Sequence, residues 1–400
     1  IDTAAYWLDA QQADGGICRE LDYKGTPYLR EVSVKFGKSE KSGWYYSPPL
    51  SGWAWHEILR WSPESAAAYI PKIITTMRRH REWFLREHAV FDADKKLLGF
   101  HWTNEGSGRD NSPRPLDELG IFALPKYGDA PALEEGRDRR GLAVDLLAQY
   151  KTLIDHEREF SAILGDFAAA DKLAAEADEI STLLNERYFN KKIGWYVDII
   201  PEGKQNWRMT DIVTLAGFWP IVAKAASKER VQAIIENYLE NPKRFGGEFL
   251  PSVPKDNPYY DESGFYWRGG GWPPDWEMVS RGVYEYGFRS EANRLAIRHM
   301  NAMTSASDAY ALGDSPQFML EWSGLKPDSG GEAGFQKAKA RLKEYAREFW
   351  AGKIHNPKPA DTATVFEFYG LRRDAQGNAI PTYGQTIRHE DNLVHATRAN

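Results

Sequence analysis

Carboxylates, arginines and indoles crowd into three short stretches of this chain. WTNEGSGRDNSPR, residues 102–114, collects Trp102, Glu105, Arg109, Asp110, Asn111 and Arg114 among glycines and a proline. FYWRGGGWPPDWEMVSRG, residues 265–282, sets Tyr266, Trp267, Arg268 and Trp272 around three consecutive glycines. DTATVFEFYG, residues 361–370, holds Glu367 between Phe366 and Phe368. A general acid has to meet its target bond at a fixed angle. Gly106, Gly108 and Pro113 allow backbone shapes that could hold Asp110 that way. An Asx-turn, with Asp110 capping amides, explains the same residues. An acid among aromatics is costly to bury unless paired, and apolar walls raise its pKa towards a useful base. Glu367 is therefore a candidate base, or an acid on the solvent face of a strand. Arg268 could hydrogen-bond ligand hydroxyls, orient a carboxylate, or pair with a structural acid. Asp275 and Glu277 favour the start of the helix that Pro273 and Pro274 open.

Other chemistries fit less well. The single cysteine, Cys18, allows no intrachain disulfide and no cysteine-based metal site. The nine histidines show no H-E-x-x-H or comparable ligand spacing. Asp92-x-Asp94 lacks the later ligands of a calcium loop and reads as a turn. There is no G-x-S-x-G elbow and no P-loop, and Gly269 to Gly271 follow no βαβ strand. His389 to Asn392 read as polar surface. No metal and no cofactor are expected. A net charge of −6 offers no field for nucleic acid or anionic membrane. No apolar run approaches the roughly 18 residues of a membrane span. The chain begins at Ile1 rather than Met, so a leader could have been removed; a soluble protein is expected, with the compartment open between cytoplasm, periplasm and exterior. The oligomeric state is unspecified.

The 15 Trp, 20 Tyr and 18 Phe make up 13% of the chain, and many of the indoles sit in glycine- and proline-rich loops rather than in helical stripes. A large, well-packed aromatic core accounts for many of these rings, while placement in such loops suits a wet cleft for flat, half-apolar ligands such as sugars.

The elements that must position these loops are mostly helices. Apolar residues step by three and four over 50–61, 64–88, 140–164 and 166–188. Pro71 lies near the start of the second stretch or between two short helices. Similar patterns cover 208–225, 227–240, 275–287, 290–304 and 332–350. RYFNKKIGWYVDI and VFDADKKLLGFHW read as small hairpins. Strands do not alternate with the helices, which argues against a parallel α/β sheet. The expectation is one all-α domain over residues 1–400, its helix pairs wound into a toroid. Long loops and minor β-hairpins would line the cleft at one rim.

The combination resembles glycoside hydrolase family sixty-three, with trehalase-like enzymes more distant. YYSPPLSGWAWHEI resembles the family's Gln-Pro-Pro stretch leading into a helix. EGSGRDNSPR resembles its Glu-Ser-Gly-x-Asp-Asn-Ser-Pro-Arg loop, YWRGGGWPP its Tyr-Trp-Arg-Gly-Pro-x-Trp loop, and FEFYG the segment of its base. The departures are Ser47 in place of Gln, the extra Gly106, Pro115 in place of an aromatic, and the stretches 305–330 and after Glu367. The resemblance implies an (α/α)6 barrel and inverting, exo-acting hydrolysis of α-linked glucosides or mannosides. It casts Asp110 as acid and Glu367 as base. Trp53, Trp102, Trp267 and Trp272 would wall the sugar subsite, within a substrate-contact loop that includes Tyr266. Arg268 and Asn111 would fix hydroxyls, and Arg109 and Arg114 suit an anionic aglycone. Two rivals are a carbohydrate-binding scaffold and an (α/α)-barrel sugar epimerase. The latter leans on paired histidines, and His56, His101 and His389 are scattered along the chain.

Overall fold

The computed structural model describes residues 2–18, 46–104, 106–109, 112–116, 141–202, 206–247, 249–261 and 266–311, and six strands between 363 and 399. The chain forms two compact units, Ile1–Val231 and Gln232–Asn400.

The first unit is built on helices α1 (Asp2–Asp9), α2 (Ser51–Trp61), α3 (Pro63–Ala67), α4 (Ile70–Glu87), α5 (Val144–Ile163), α6 (Phe167–Leu183) and α7 (Trp219–Val222). Pro63 and Pro71 both fall in the first turn of their helices, where no amide bond is lost. The 64–88 stretch is therefore two helices, the second of the alternatives its proline allowed. Helix α5 is central, buried continuously from Val144 to Ile154, with Asp145, Gln149, Lys151 and Thr152 buried among its apolar positions. Leu8, Trp55, Ile70, Ile73, Ile74, Met77, Leu153 and Phe160 form one core between α1, α2, α4 and α5. The Asp166 carboxylate caps α6 by accepting the Ala169 amide at 3.1 Å.

Both expected hairpins form. Strand β1 (Ala89–Phe91) pairs antiparallel with β2 (Leu97–Phe100), and β3 (Phe189–Asn190) with β4 (Trp195–Tyr196). Asp92 Oδ1 accepts the amides of Asp94 and Lys96 at 2.9 and 2.8 Å, which makes the Asp92-x-Asp94 segment an Asx-type turn. The helix expected over 208–225 is corrected. Strand β5 (Ile199–Glu202) pairs with β6 (Asn206–Met209), and helical structure begins only at Leu215. Gly217 explains the tight course there. A Cβ on it would stand 2.0 Å from the Tyr196 carbonyl oxygen.

In the second unit, α8 (Pro273–Glu285) and α9 (Arg289–Ala311) join through Gly287, whose φ of 89° is the left-handed stop of a Schellman turn. The Phe288 amide donates back to the Val283 carbonyl at 3.3 Å. Short antiparallel pairs link Ala363–Val365 with Thr397–Ala399, Phe368–Arg373 with Ala379–Gly384, and Thr386–Arg388 with Leu393–His395. Among the described residues, no helix is long and apolar enough to cross a membrane.

Candidate active site

The loop with the densest chemistry is clamped onto the start of α5. Arg114 is its anchor, a side chain with 0% exposure. Its Nε donates to Asp198 at 2.9 Å, and Nη2 to Asp145 at 2.6 Å and Asp198 at 2.8 Å. Nη1 donates to Asp145 at 2.8 Å and to the Ser107 hydroxyl at 3.4 Å. All five guanidinium N–H groups are thus used. Burial alone would lower the Arg114 pKa, but the charges of Asp145 and Asp198 outweigh it and hold the group firmly cationic. Arg114 has no donor left for an aglycone, so the direct contact expected of it is corrected to a positioning role. Its partners lie far off in sequence, Asp145 on α5 and Asp198 between β4 and β5. Asp198 Oδ1 also accepts the Val144 amide at 3.0 Å, at the start of α5.

The rest of the loop hangs from this anchor. Asn104 Nδ2 donates to the carbonyls of Ser112 and Arg114 at 3.4 and 3.2 Å. The Gly106 amide donates to Thr103 Oγ1 at 2.8 Å, and Gly108 takes a φ of 69°. The Ser112 amide donates to the Arg109 carbonyl at 2.9 Å. Arg109 is buried. Asp110, Asn111 and Glu105 lie outside the described residues, as does Glu367. The flanks of Asp110 are therefore fixed on both sides by hydrogen bonds.

The indoles divide into three settings. Trp102 is 3% exposed and belongs to a buried aromatic cluster. Its ring meets His88 edge-on at 4.9 Å and Phe84 at 5.5 Å, and its Nε1 finds no partner among the described residues. Trp53, half-buried on α2, meets Trp219 edge-on at 5.4 Å. In the second unit, Trp267 and Trp272 stack on each other, centroids 3.8 Å apart and planes 5° from parallel. Both rings are buried, each 7% exposed. A Cβ on Gly271 would come within 2.3 Å of Trp276, and one on Gly269 within 2.4 Å of the Asp261 carbonyl. Two of the three glycines are thus required by close packing. The Arg268 guanidinium lies 5.8 Å from the Tyr259 ring centre. Tyr266 begins the same turn, and its side chain lies outside the described residues.

A model of the mannosylglycerate hydrolase MGH1-like glycoside hydrolase domain matches residues 2–313. The chain belongs to this glycoside hydrolase family. Two crystal structures of family sixty-three mannosylglycerate hydrolase from Thermus thermophilus share its fold. The complex with Tris and D-glycerate superposes with a TM-score of 0.54 at 19% identity, covering 75% of this chain and 79% of that one. The complex with glucose gives 0.53 at 19% identity, covering 75% and 77%. The fold is thus the all-α (α/α)6 type of these enzymes. The periplasmic trehalase of Salmonella schwarzengrund (strain CVM19633) is 31% identical over 247 residues, 54% of this chain and 40% of the relative. The chain spans about two fifths of the length of the curated trehalases it matches.

The histidines need a second correction. His56 on α2 does have a partner. Its ring stacks on His156 of α5, centroids 4.6 Å apart, and its Nδ1 lies 2.6 Å from Glu159 Oε2. Hydrogen bonds from His156 and His56 hold the Glu159 carboxyl down to about 2. Spacing along the chain could not show a pair a hundred positions apart. Asp145 and Asp198 were also missed, though each left a signal: a lone acid inside an apolar run, in GLAVDLLAQY and WYVDII. Such an acid has to find a buried partner.

Proposed function

We propose that the chain is an inverting, exo-acting α-glycosidase that cleaves small α-linked mannosides or glucosides. The observation that carries this reading is the Arg114 clamp. It fixes an Arg-Asp-Asn-Ser-Pro-Arg loop, in a member of a glycoside hydrolase family, by a sealed network with no catalytic duty of its own. Asp110, protonated, donates its proton to the glycosidic oxygen. Glu367 takes a proton from water on the opposite face of the sugar. That water needs room, so the two carboxyl groups belong roughly 6.5–9.5 Å apart. Asn111, Tyr266, Arg268, Trp53, Trp267 and Trp272 are the sugar contacts of this reading. Residues 1–400 act as one catalytic domain in this reading. The relative that binds D-glycerate supports a small anionic aglycone.

Proton NMR of the first product reads the stereochemistry directly. α-Mannosylglycerate, α-glucosylglycerate and trehalose are the substrates to test. The β-anomer should appear first and mutarotate later, whereas an initial α-anomer would overturn inversion. Asp110→Asn should lower kcat by at least about 10³-fold, since both general-acid help and charge placement are lost. A variant as active as the parent would remove Asp110 from the mechanism.

A further inference from the structure

The His56, His156 and Glu159 side chains are not used by the proposed hydrolysis. They sit where α2 crosses α5, and His156 is about 17 Å further along the α5 axis than Asp145. Glycine at 52 brings the two helices together, because a Cβ there would lie 3.1 Å from His156 Cβ and 3.4 Å from Leu153 Cδ1. His56 stands one turn beyond that contact. His156 and Glu159, three positions apart on α5, share one face of their helix.

We propose that these three residues form a binding site for a divalent transition metal of the zinc type, clamping α2 to α5. Three observations lead there. One ligand atom from each residue can be chosen so that all lie within 4.8 Å of one another. Both Nδ1 atoms converge on one carboxylate oxygen, His56 at 2.6 Å and His156 at 3.5 Å. Exposure is graded too, with His56 at 24%, His156 at 13% and Glu159 at 37%, so the site is open on one side to water and ions. Ligands of a tetrahedral zinc ion, at about 2.0–2.2 Å from the metal, stand roughly 3.3 Å from one another. Small side-chain rotations would bring the trio to that spacing. Two imidazoles and one carboxylate suit zinc, nickel or copper, whereas magnesium and calcium prefer oxygen alone. Glu57 Oε1 lies 4.0 Å from His56 Nε2, and a small side-chain rotation would let it accept from that nitrogen as the outer support a ligating imidazole needs. Three protein ligands leave the fourth position to water.

The test uses the full chain, stripped with EDTA and dialysed, and zinc chloride alone as the probe. Isothermal titration should show one equivalent bound, and the unfolding temperature should rise with zinc concentration, as for any ligand specific to the folded state. His156→Asn and Glu159→Gln should each weaken zinc binding at least tenfold and erase the thermal shift. Circular dichroism of the metal-free variants checks that they fold, and half-exposed Glu159 is the safer of the two. Magnesium and calcium should leave the melting temperature unchanged. Absence of zinc binding, equal binding by the variants, or a response to magnesium as large as to zinc would each overturn the site. None of these outcomes depends on the glycosidase reading.

Discussion

The two ends of α5 use the same kind of charge differently. At the start, Asp145 and Asp198 close around Arg114, and none of the three side chains is more than 5% exposed. Further along, Glu157 is as buried as Asp145, at 1%, yet its partners Arg81 and Arg78 are 16% and 48% exposed. The first cluster is sealed. The segment it holds, 102–116, forms no helix or strand among its described residues. The second joins α4 to α5, two helices already shaped by their own hydrogen bonds. A sealed network therefore sets geometry, whereas an open one adds adhesion. Damage to the first should appear in activity and folding alike, and damage to the second in folding alone.

The largest expected effect is at Arg114. Removing one member of a buried ion cluster strands the others, at a cost of about 3–5 kcal/mol. Arg114→Met should lower the urea midpoint accordingly. Arg114→Lys keeps the charge but loses the fork, and a loop displaced by even about 1 Å costs about 10²-fold in kcat. Parent-like kcat in Arg114→Lys would break the distinction between the two ends. Glu157→Gln comes next. It should cost about 1–3 kcal/mol in urea unfolding while kcat/KM per folded molecule stays at the parent value. A fall in kcat/KM matching that of Arg114→Lys would erase the comparison.

A smaller effect tests whether the helix seam is held by neutral groups as well as charges. His80, fully buried on α4 with no hydrogen-bond partner among the described residues, is pushed down to about 3 by burial and then by His88. In the unfolded chain a histidine titrates near about 6.5. Between those values the unfolded chain binds one more proton, so stability is level above the upper value and falls as pH drops towards the lower one. His80→Leu should flatten that fall, seen as a smaller difference between urea midpoints at neutral and mildly acidic pH. An unchanged difference would move the acid sensitivity elsewhere. Glu159→Gln in metal-free protein should have the smallest effect. The carboxyl is partly exposed, so its loss should cost under about 1 kcal/mol at neutral pH. With its pKa depressed to about 2, that contribution is present above the ordinary carboxylate range and lost as pH falls through the folded value.

Much of the helical scaffold was legible because burial writes a period into the sequence. Helices α4, α5, α6, α8 and α9 coincide with runs stepping by three and four, and both early hairpins follow turn chemistry at Asp92 and Asn190. The 208–225 stretch misled because its apolar spacing suits a helix. Strand pairing at Asn206–Met209 and the close approach at Gly217 are tertiary effects that periodicity does not carry. The site loop could be found from its residue types, but Arg114's role could not, since its partners lie 31 and 84 positions away. The four indoles read as one wall, yet Trp102 fills a buried cluster and Trp267 covers Trp272. Ring count along a chain does not say which faces stay open.

The stacked pair has a practical corollary. Indoles lying flat on each other at 3.8 Å couple their electronic transitions, giving a circular-dichroism couplet that isolated tryptophans lack. Loosening of the packing around the two rings separates them and perturbs that couplet and the emission with it. The protein thus carries a label-free optical gauge of order around its glycine-rich loop, readable in a cuvette before any assay of turnover.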